Sequence, residues 1–185
     1  MHDTLFVFDT ETIPDTDAVP GLVDNVADDV EARRTALSQY HLDATDGKND
    51  FPRQPFHKVV ALSYVTADIE KQGGYEFYTI SGVRSGGDET SDEAEIVSGF
   101  FNYLAKEQPR LVTYNGRNFD LPVMWFRAMK HGISANGLFS SQRRNKWDNY
   151  LSRNAVDFHC DLIDALKGNG TVSYTHLRAH ETDSY

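Results

Sequence analysis

Cysteine is nearly absent: Cys160 stands alone among 185 residues, which excludes a disulfide scaffold and a cysteine-ligated metal cluster. No stretch approaches the ~18 consecutive apolar residues a membrane span needs. Met1-His2-Asp3 places no basic segment ahead of the short apolar run that follows. Repeats and low-complexity tracts are also missing. Bases are scarce, 18 against 28 acids, so the net charge of −10 argues against a uniformly basic surface. What remains is ordinary: 39% apolar residues and 13 glycines, the composition of a globular chain rather than a disordered one. The length fits one domain, which at this size buries about 70% of its unfolded surface. The expectation is a soluble, cytoplasmic domain with no membrane association.

The charge is unevenly placed. Residues 15–50 hold nine acids against three bases, and residues 106–154 hold nine bases against three acids. A basic stretch that includes Arg143, Arg144 and Lys146, beside clustered carboxylates, suits a polyanion held by cations and bases together.

Leu5-Phe6-Val7-Phe8 reads as a central strand buried on both faces, ending at Asp9-Thr10-Glu11. Residues 13–57 carry four of the six prolines and one helical pattern (Val23, Val26, Val30, Leu37, Tyr40), and read as an insertion over the sheet. Residues 58–65 and 75–80 are the next strands, joined through Gly73-Gly74, with 82–87 a loop. Thr90 and Glu93 form a capping-box pattern ahead of an apolar helix face ending at Pro109. A strand over 110–114 leads through Asn115-Gly116 to a helix bounded by Pro122 and Gly132, and 156–162 is a fifth strand. Three antiparallel strands followed by helix, strand and helix predict an α/β fold, a mixed β-sheet flanked by helices. Residues 172–182 continue no pattern and look like a translated library adapter. The expected native domain is therefore 1–170, with 171–185 a non-native tail.

Asp9 and Glu11, two apart on a strand, share one face and converge at the carboxyl edge of the sheet. Two such acids repel unless a proton or a hard divalent cation lies between them. Asp120 follows a turn into a helix start, where aspartate also serves as a cap. Placed beside Asp9 and Glu11, it would supply most of a two-metal site for phosphodiester cleavage.

Four ordered blocks carry a resemblance: FDTET at 8–12, FPRQPFHKVVALSYV at 51–65, LVTYNGRNFDLPV at 111–123 and HCDLIDAL at 159–166. Over residues 3–170 the chain resembles the predicted PolB-like 3′–5′ exonuclease family, part of the DEDD superfamily with a ribonuclease H-like fold. The resemblance implies Mg²⁺- or Mn²⁺-dependent removal of nucleotides from a nucleic-acid 3′ end, with DNA favoured over RNA. It implies that Asp9 bridges two ions, Glu11 holds the nucleophile-side ion and Asp120 orients the other through water. Thr10, Thr12, Asn115, Arg117 and Asn118 fall at substrate-binding positions.

The family's third motif, a tyrosine four residues before an aspartate, does not occur after residue 120. His159 and Asp164 offer the His-x4-Asp spacing of the superfamily's histidine branch, yet both already belong to the HCDLIDAL block. The expectation is an exonuclease domain impaired by the missing motif. The alternative is a non-catalytic single-strand-binding domain of the same fold. A phosphatase with Asp9 as nucleophile wants Asp-x-Asp, which Glu11 breaks.

Overall fold

A computed structural model describes residues 2–87, 90–139, 148–153 and 155–167. Five strands form one mixed sheet in the order β3-β2-β1-β4-β5. β1 (Thr4–Pro14), β2 (His57–Gln72) and β3 (Tyr75–Gly86) are an antiparallel meander. β4 (Arg110–Thr113) and β5 (His159–Asp161) add in parallel on the other side of β1. α1 (Val30–Ala44) lies between β1 and β2, α2 (Glu93–Glu107) between β3 and β4, and α3 (Asp120–His131) and the single turn α4 (Leu162–Leu166) follow β4 and β5. This is the expected α/β architecture, a mixed sheet with flanking helices. Among the described residues no helix is long and apolar enough to cross a membrane. The 171–185 tail and the Arg143-Arg144-Lys146 cluster lie outside the described residues.

One face of the sheet makes the core. Phe6 and Phe8 point under α2 and α3, where Val97, Phe100, Phe101 and Leu104 of α2 meet Leu121, Val123, Met124 and Ala128 of α3. Each such buried side chain contributes about 1.5–3 kcal/mol relative to exposure. α3 ends as expected at Gly132, which takes the left-handed conformation (φ 65°) that a side chain disfavours.

Strand lengths depart from the expectation. β1 does not stop at Glu11: its ladder with β2 continues through Thr12 and Ile13 to Pro14↔His57, so Asp9 and Glu11 lie inside a paired strand rather than at its end. Leu5 and Val7 are only half-buried, so β1 is not sealed on both faces. β2 and β3 run on as a long hairpin, and residues 82–86, expected in a loop, are paired strand. These outer segments are polar or exposed, and their strand conformation comes from cross-strand pairing rather than apolar periodicity. β5 shortens to three residues because Asp161 already caps the following turn through Ile163 N–H. In the segment between β1 and β2, Val23 and Val26 precede the helix, which starts where Asp29 accepts a bond from Ala32 N–H.

Glu93 is not the return arm of a capping box on Thr90; Asp92 caps α2 by accepting from Ala94 N–H. Glu93 instead enters a buried charge cluster. Arg127, 2% exposed, donates through Nε to Glu93 Oε1 (2.6 Å), through Nη2 to Glu93 Oε2 (2.5 Å) and through Nη1 to Asp15 Oδ2. Lys130 Nζ reaches Asp15 Oδ2 at 2.8 Å, and Val59 N–H donates to Glu93 Oε1 at 2.6 Å. Burial alone would raise both acids, but their cationic partners outweigh it and hold each below the usual carboxylate range.

Among the described residues the basic stretch is therefore not a free polycation. Arg110 pairs with Glu76, Arg117 with Asp164, Arg127 and Lys130 with the cluster, Lys106 with Glu107, and Arg153 lies 3.7 Å from Asp164. Removing Arg127 would take away the cation that Glu93 and Asp15 share, leaving Glu93 to His131 and the Val59 amide and Asp15 to Lys130. Arg127→Met is expected to cost about 3–5 kcal/mol in urea unfolding at pH 7, far more than Lys106→Met at the surface.

Candidate active site

The site forms where β1 outruns its parallel neighbour. β1 pairs with β4 only from Leu5 to Val7, so Asp9-Thr10-Glu11 extends past the end of β4. Strand alternation turns Thr10, 7% exposed, toward the helices and leaves Asp9 and Glu11 exposed together on the opposite face. Open α/β sheets bind ligands at such carboxyl ends.

Asp120, the first residue of α3, closes the gap. Its Oδ1 accepts Thr10 N–H at 3.1 Å and the Thr10 hydroxyl at 2.6 Å, so the two acidic blocks, 110 residues apart, are joined through one threonine. Asp120 is 4% exposed. Burial pushes its pKa up to about 6; Asp9's charge adds to this, while the Thr10 bonds oppose it. Among the described residues no three His, Cys, Asp or Glu side chains close on a common point that would hold an ion by themselves. The donors are nonetheless hard oxygens under like-charge repulsion, the chemistry that takes Mg²⁺ through one or two carboxylates plus water and phosphate.

The turn that delivers Asp120 is held from β5. Asp161, 2% exposed, accepts Asn115 N–H (2.7 Å) and Arg117 N–H (3.0 Å) on its two oxygens. Asn115 takes the left-handed conformation (φ 62°), and a Cβ on Gly116 would fall 2.5 Å from the Thr113 side chain, so only glycine fits. The Arg117 guanidinium turns inward, donating to Asp164 Oδ2 and to the His159 carbonyl, both at 2.7 Å. It is placed to hold the turn rather than to meet substrate. Asn118 is exposed, its side chain donating to Asn115 Oδ1 (3.0 Å) and its carbonyl accepting from Gln54 (3.1 Å). Thr12 also faces a structural partner, the Nδ1 of His57 at 3.0 Å.

His159 is fully buried. Its Nδ1 lies 2.8 Å from the Tyr150 carbonyl, which can only accept, so Nδ1 carries the proton and Nε2 accepts the Thr113 hydroxyl at 2.7 Å. Burial pushes its pKa down to about 4. With both nitrogens engaged and Asp164 paired to Arg117, the pair supplies no open His-x4-Asp ligand set. Asp161 is the residue that sequence reasoning left without a role. Its grip on the 115–117 turn depends on the β4–β5 pairing.

His159 sets a pH dependence. The folded pKa lies below the unfolded value of 6.5, so the stability it confers is complete above pH 6.5 and is lost as pH falls toward 4. Between those limits the chain is expected to lose about 3 kcal/mol that a His159→Gln variant does not lose, measured by urea unfolding across pH.

The family model for a predicted 3′–5′ exonuclease related to the exonuclease domain of PolB matches residues 49–181. That span holds Asp120 and the 159–166 block and leaves Asp9 and Glu11 outside. No curated protein matches significantly. Among solved structures the chain is similar to the family B DNA polymerase of the hyperthermophilic archaeon Pyrobaculum calidifontis, at 15% identity and a TM-score of 0.46. The match covers 91% of this chain and 16% of that one, so this chain spans about a sixth of the polymerase. The family match extends over well over half of the sequence, and the chain belongs to the family of predicted 3′–5′ exonucleases related to the exonuclease domain of PolB.

Proposed function

We propose that this chain is a divalent-metal-dependent 3′–5′ exonuclease domain acting on DNA ends, with low turnover. One observation carries the reading: Thr10 joins buried Asp120 to the strand that presents Asp9 and Glu11. Acids from two distant blocks are thereby tied to one stretch of β1, Asp120 on its buried side and Asp9 and Glu11 on its open side, at the carboxyl end of a parallel strand pair.

In this reading Asp9 and Glu11 hold Mg²⁺ or Mn²⁺ from the open face, and Asp120 supports them from the buried side. The cation supplies charge stabilisation for the attacking and leaving oxygens of the scissile phosphate. Thr10 fixes the Asp120 carboxylate, and Asp161 fixes the turn that carries it. Asn118, exposed at that turn, contacts the strand. Low turnover follows from the missing Tyr-x-x-x-Asp pair, since losing a positioned group that handles the attacking water typically costs 10²–10⁴-fold.

The test is release of the terminal nucleotide from 3′-labelled DNA and RNA strands with Mn²⁺, beside Asp9→Asn and Asp120→Asn. Slow cleavage of DNA that both variants reduce by about 100-fold or more is expected. Binding without any cleavage would give the same site to a non-catalytic single-strand binder, and neither binding nor cleavage would end the nuclease reading.

Asp120→Asn carries a second signature. A raised carboxyl pKa favours the neutral form, so the stability Asp120 confers is complete below its unfolded value of 3.8, falls as pH rises toward 6 and stays lost above it. Asn keeps the Thr10 bonds without the charge, so relative to the parent chain the variant should gain about 3 kcal/mol at pH 8 and nothing below pH 4. An acid with a purely structural role would lose stability on the same change.

Salt supplies a further check. With most bases of the 106–154 stretch already paired, affinity for single strands should fall with a log–log slope of only a few times ~0.7.

A further inference from the structure

We infer that the groove between β3 and α2 binds an extended peptide segment of a partner protein, which adds as a strand to the open edge of β3 and seats a large apolar side chain under α2. The site is separate from the carboxylates and does not depend on the nuclease reading.

β3 is the edge strand of the sheet, and the chain leads from it directly into α2. Between them lies a groove of about 680 Å³, within the range of small-ligand sites. One wall is the end of β3 from Arg84 to Gly86, with Gly87 following it; the other is a single helix face on which Glu95, Gly99 and Tyr103 recur at helical spacing. The floor is aromatic: Phe6, Tyr64 and Phe100.

The strand wall offers main-chain groups. Val83 O accepts the Arg84 guanidinium at 3.0 Å, so this carbonyl faces away from β2. In an antiparallel pair the outward groups alternate, which turns those of Ser85 the same way. A peptide lying along this edge would meet a hydrogen-bonding row at Val83 and Ser85 and an apolar pocket beside it. Strand addition with a side-chain pocket is a recurring way to recognise extended peptides.

Two glycines face each other across the groove without a reason in the fold. Gly99 sits in the interior of α2, where glycine destabilises a helix relative to alanine, and Gly86 sits in paired strand, where it weakens the ladder. Neither has a positive φ, and among the described residues a Cβ on either would meet nothing within 4 Å. Conformation and packing leave both positions open to larger residues. Close approach of another backbone is the remaining demand that glycine answers. Exposed Glu95 at the rim favours a basic residue beside the apolar anchor of the peptide.

Random dodecapeptides displayed on phage and selected on the whole 185-residue chain provide the probe, and the selected sequences are resynthesised with a fluorescent label. The expected peptides share one aromatic or large aliphatic residue next to Lys or Arg, and their binding protects the Val83 and Ser85 amides from hydrogen exchange. Gly99→Met and Gly86→Val should each weaken binding by about 10-fold or more, with Tm unchanged or raised. Glu95→Lys, a surface change that leaves the fold intact, should weaken the basic peptides several-fold. Failure to enrich any peptide overturns the inference, as do equal binding to the glycine variants and unprotected Val83 and Ser85 amides. Concentration-dependent dimerisation that the same variants abolish would overturn it in favour of a second copy of this chain.

Discussion

A guanidinium shut away from water governs how this fold closes. Arg127 is held by Glu93 at the start of α2 and by Asp15 just past the end of β1, and Glu93 also takes an amide from β2. Charges this deep are tolerated only when all partners are present and well aligned. Two helices and two strands therefore adopt one mutual arrangement or leave ions stranded. That arrangement sets the helix face of the sheet, and with it the height at which α3 begins. The position of Asp120 against Thr10 follows.

The opposite side of the site rests on a second polar network of the same kind. Asp161 fastens two amides of the 115–117 turn, Asp164 and the His159 carbonyl take the Arg117 side chain, and His159 bridges Thr113 to Tyr150. None of these groups lies at the exposed carboxylates. Together they hold a left-handed asparagine and a glycine that admits no Cβ, at the turn delivering Asp120. The site thus has a stiff buried half and an open half, Asp9 and Glu11, on the outer face of the sheet.

How much of this was legible varied with the range of the interaction. The apolar face of α2, the start of α3 near Pro122, its end at Gly132 and the Gly73-Gly74 turn follow from local chemistry, and each stands where the pattern placed it. The outer halves of β2 and β3 did not show, because residues such as Glu70 and Arg84 are held in strand by their partners rather than by an apolar repeat. Glu93 and Arg117 were misread for a related reason. An acid three residues after a threonine suggests a cap, and the resemblance put Arg117 at a substrate-binding position. Whether either charge turns inward depends on Arg127 or Asp164, which lie 34 and 47 residues away. Asp9, Glu11 and Asp120 were readable as a candidate set because acids spaced two apart beside a third are informative without knowledge of the core.

The distance along the chain between Asp15 and Arg127 has a consequence in time. They are 112 residues apart, and synthesis at ~5–20 residues per second separates their appearance by roughly 6–20 s. In the last part of that interval, once residue 86 has been added, β1, β2 and β3 are all available and can pair as a meander, since their connections are sequential. Asp15 and Glu93 must stay hydrated meanwhile, because no cation of α3 has yet emerged. The nascent N-terminal half can hold a sheet but cannot seal its helix face, and the aromatic rings of β1 and α2 stay accessible until residue 127 arrives. Exposure on the ribosome is therefore built into the order of the residues, and holding that half soluble falls to its many acids, chiefly those of residues 15–50.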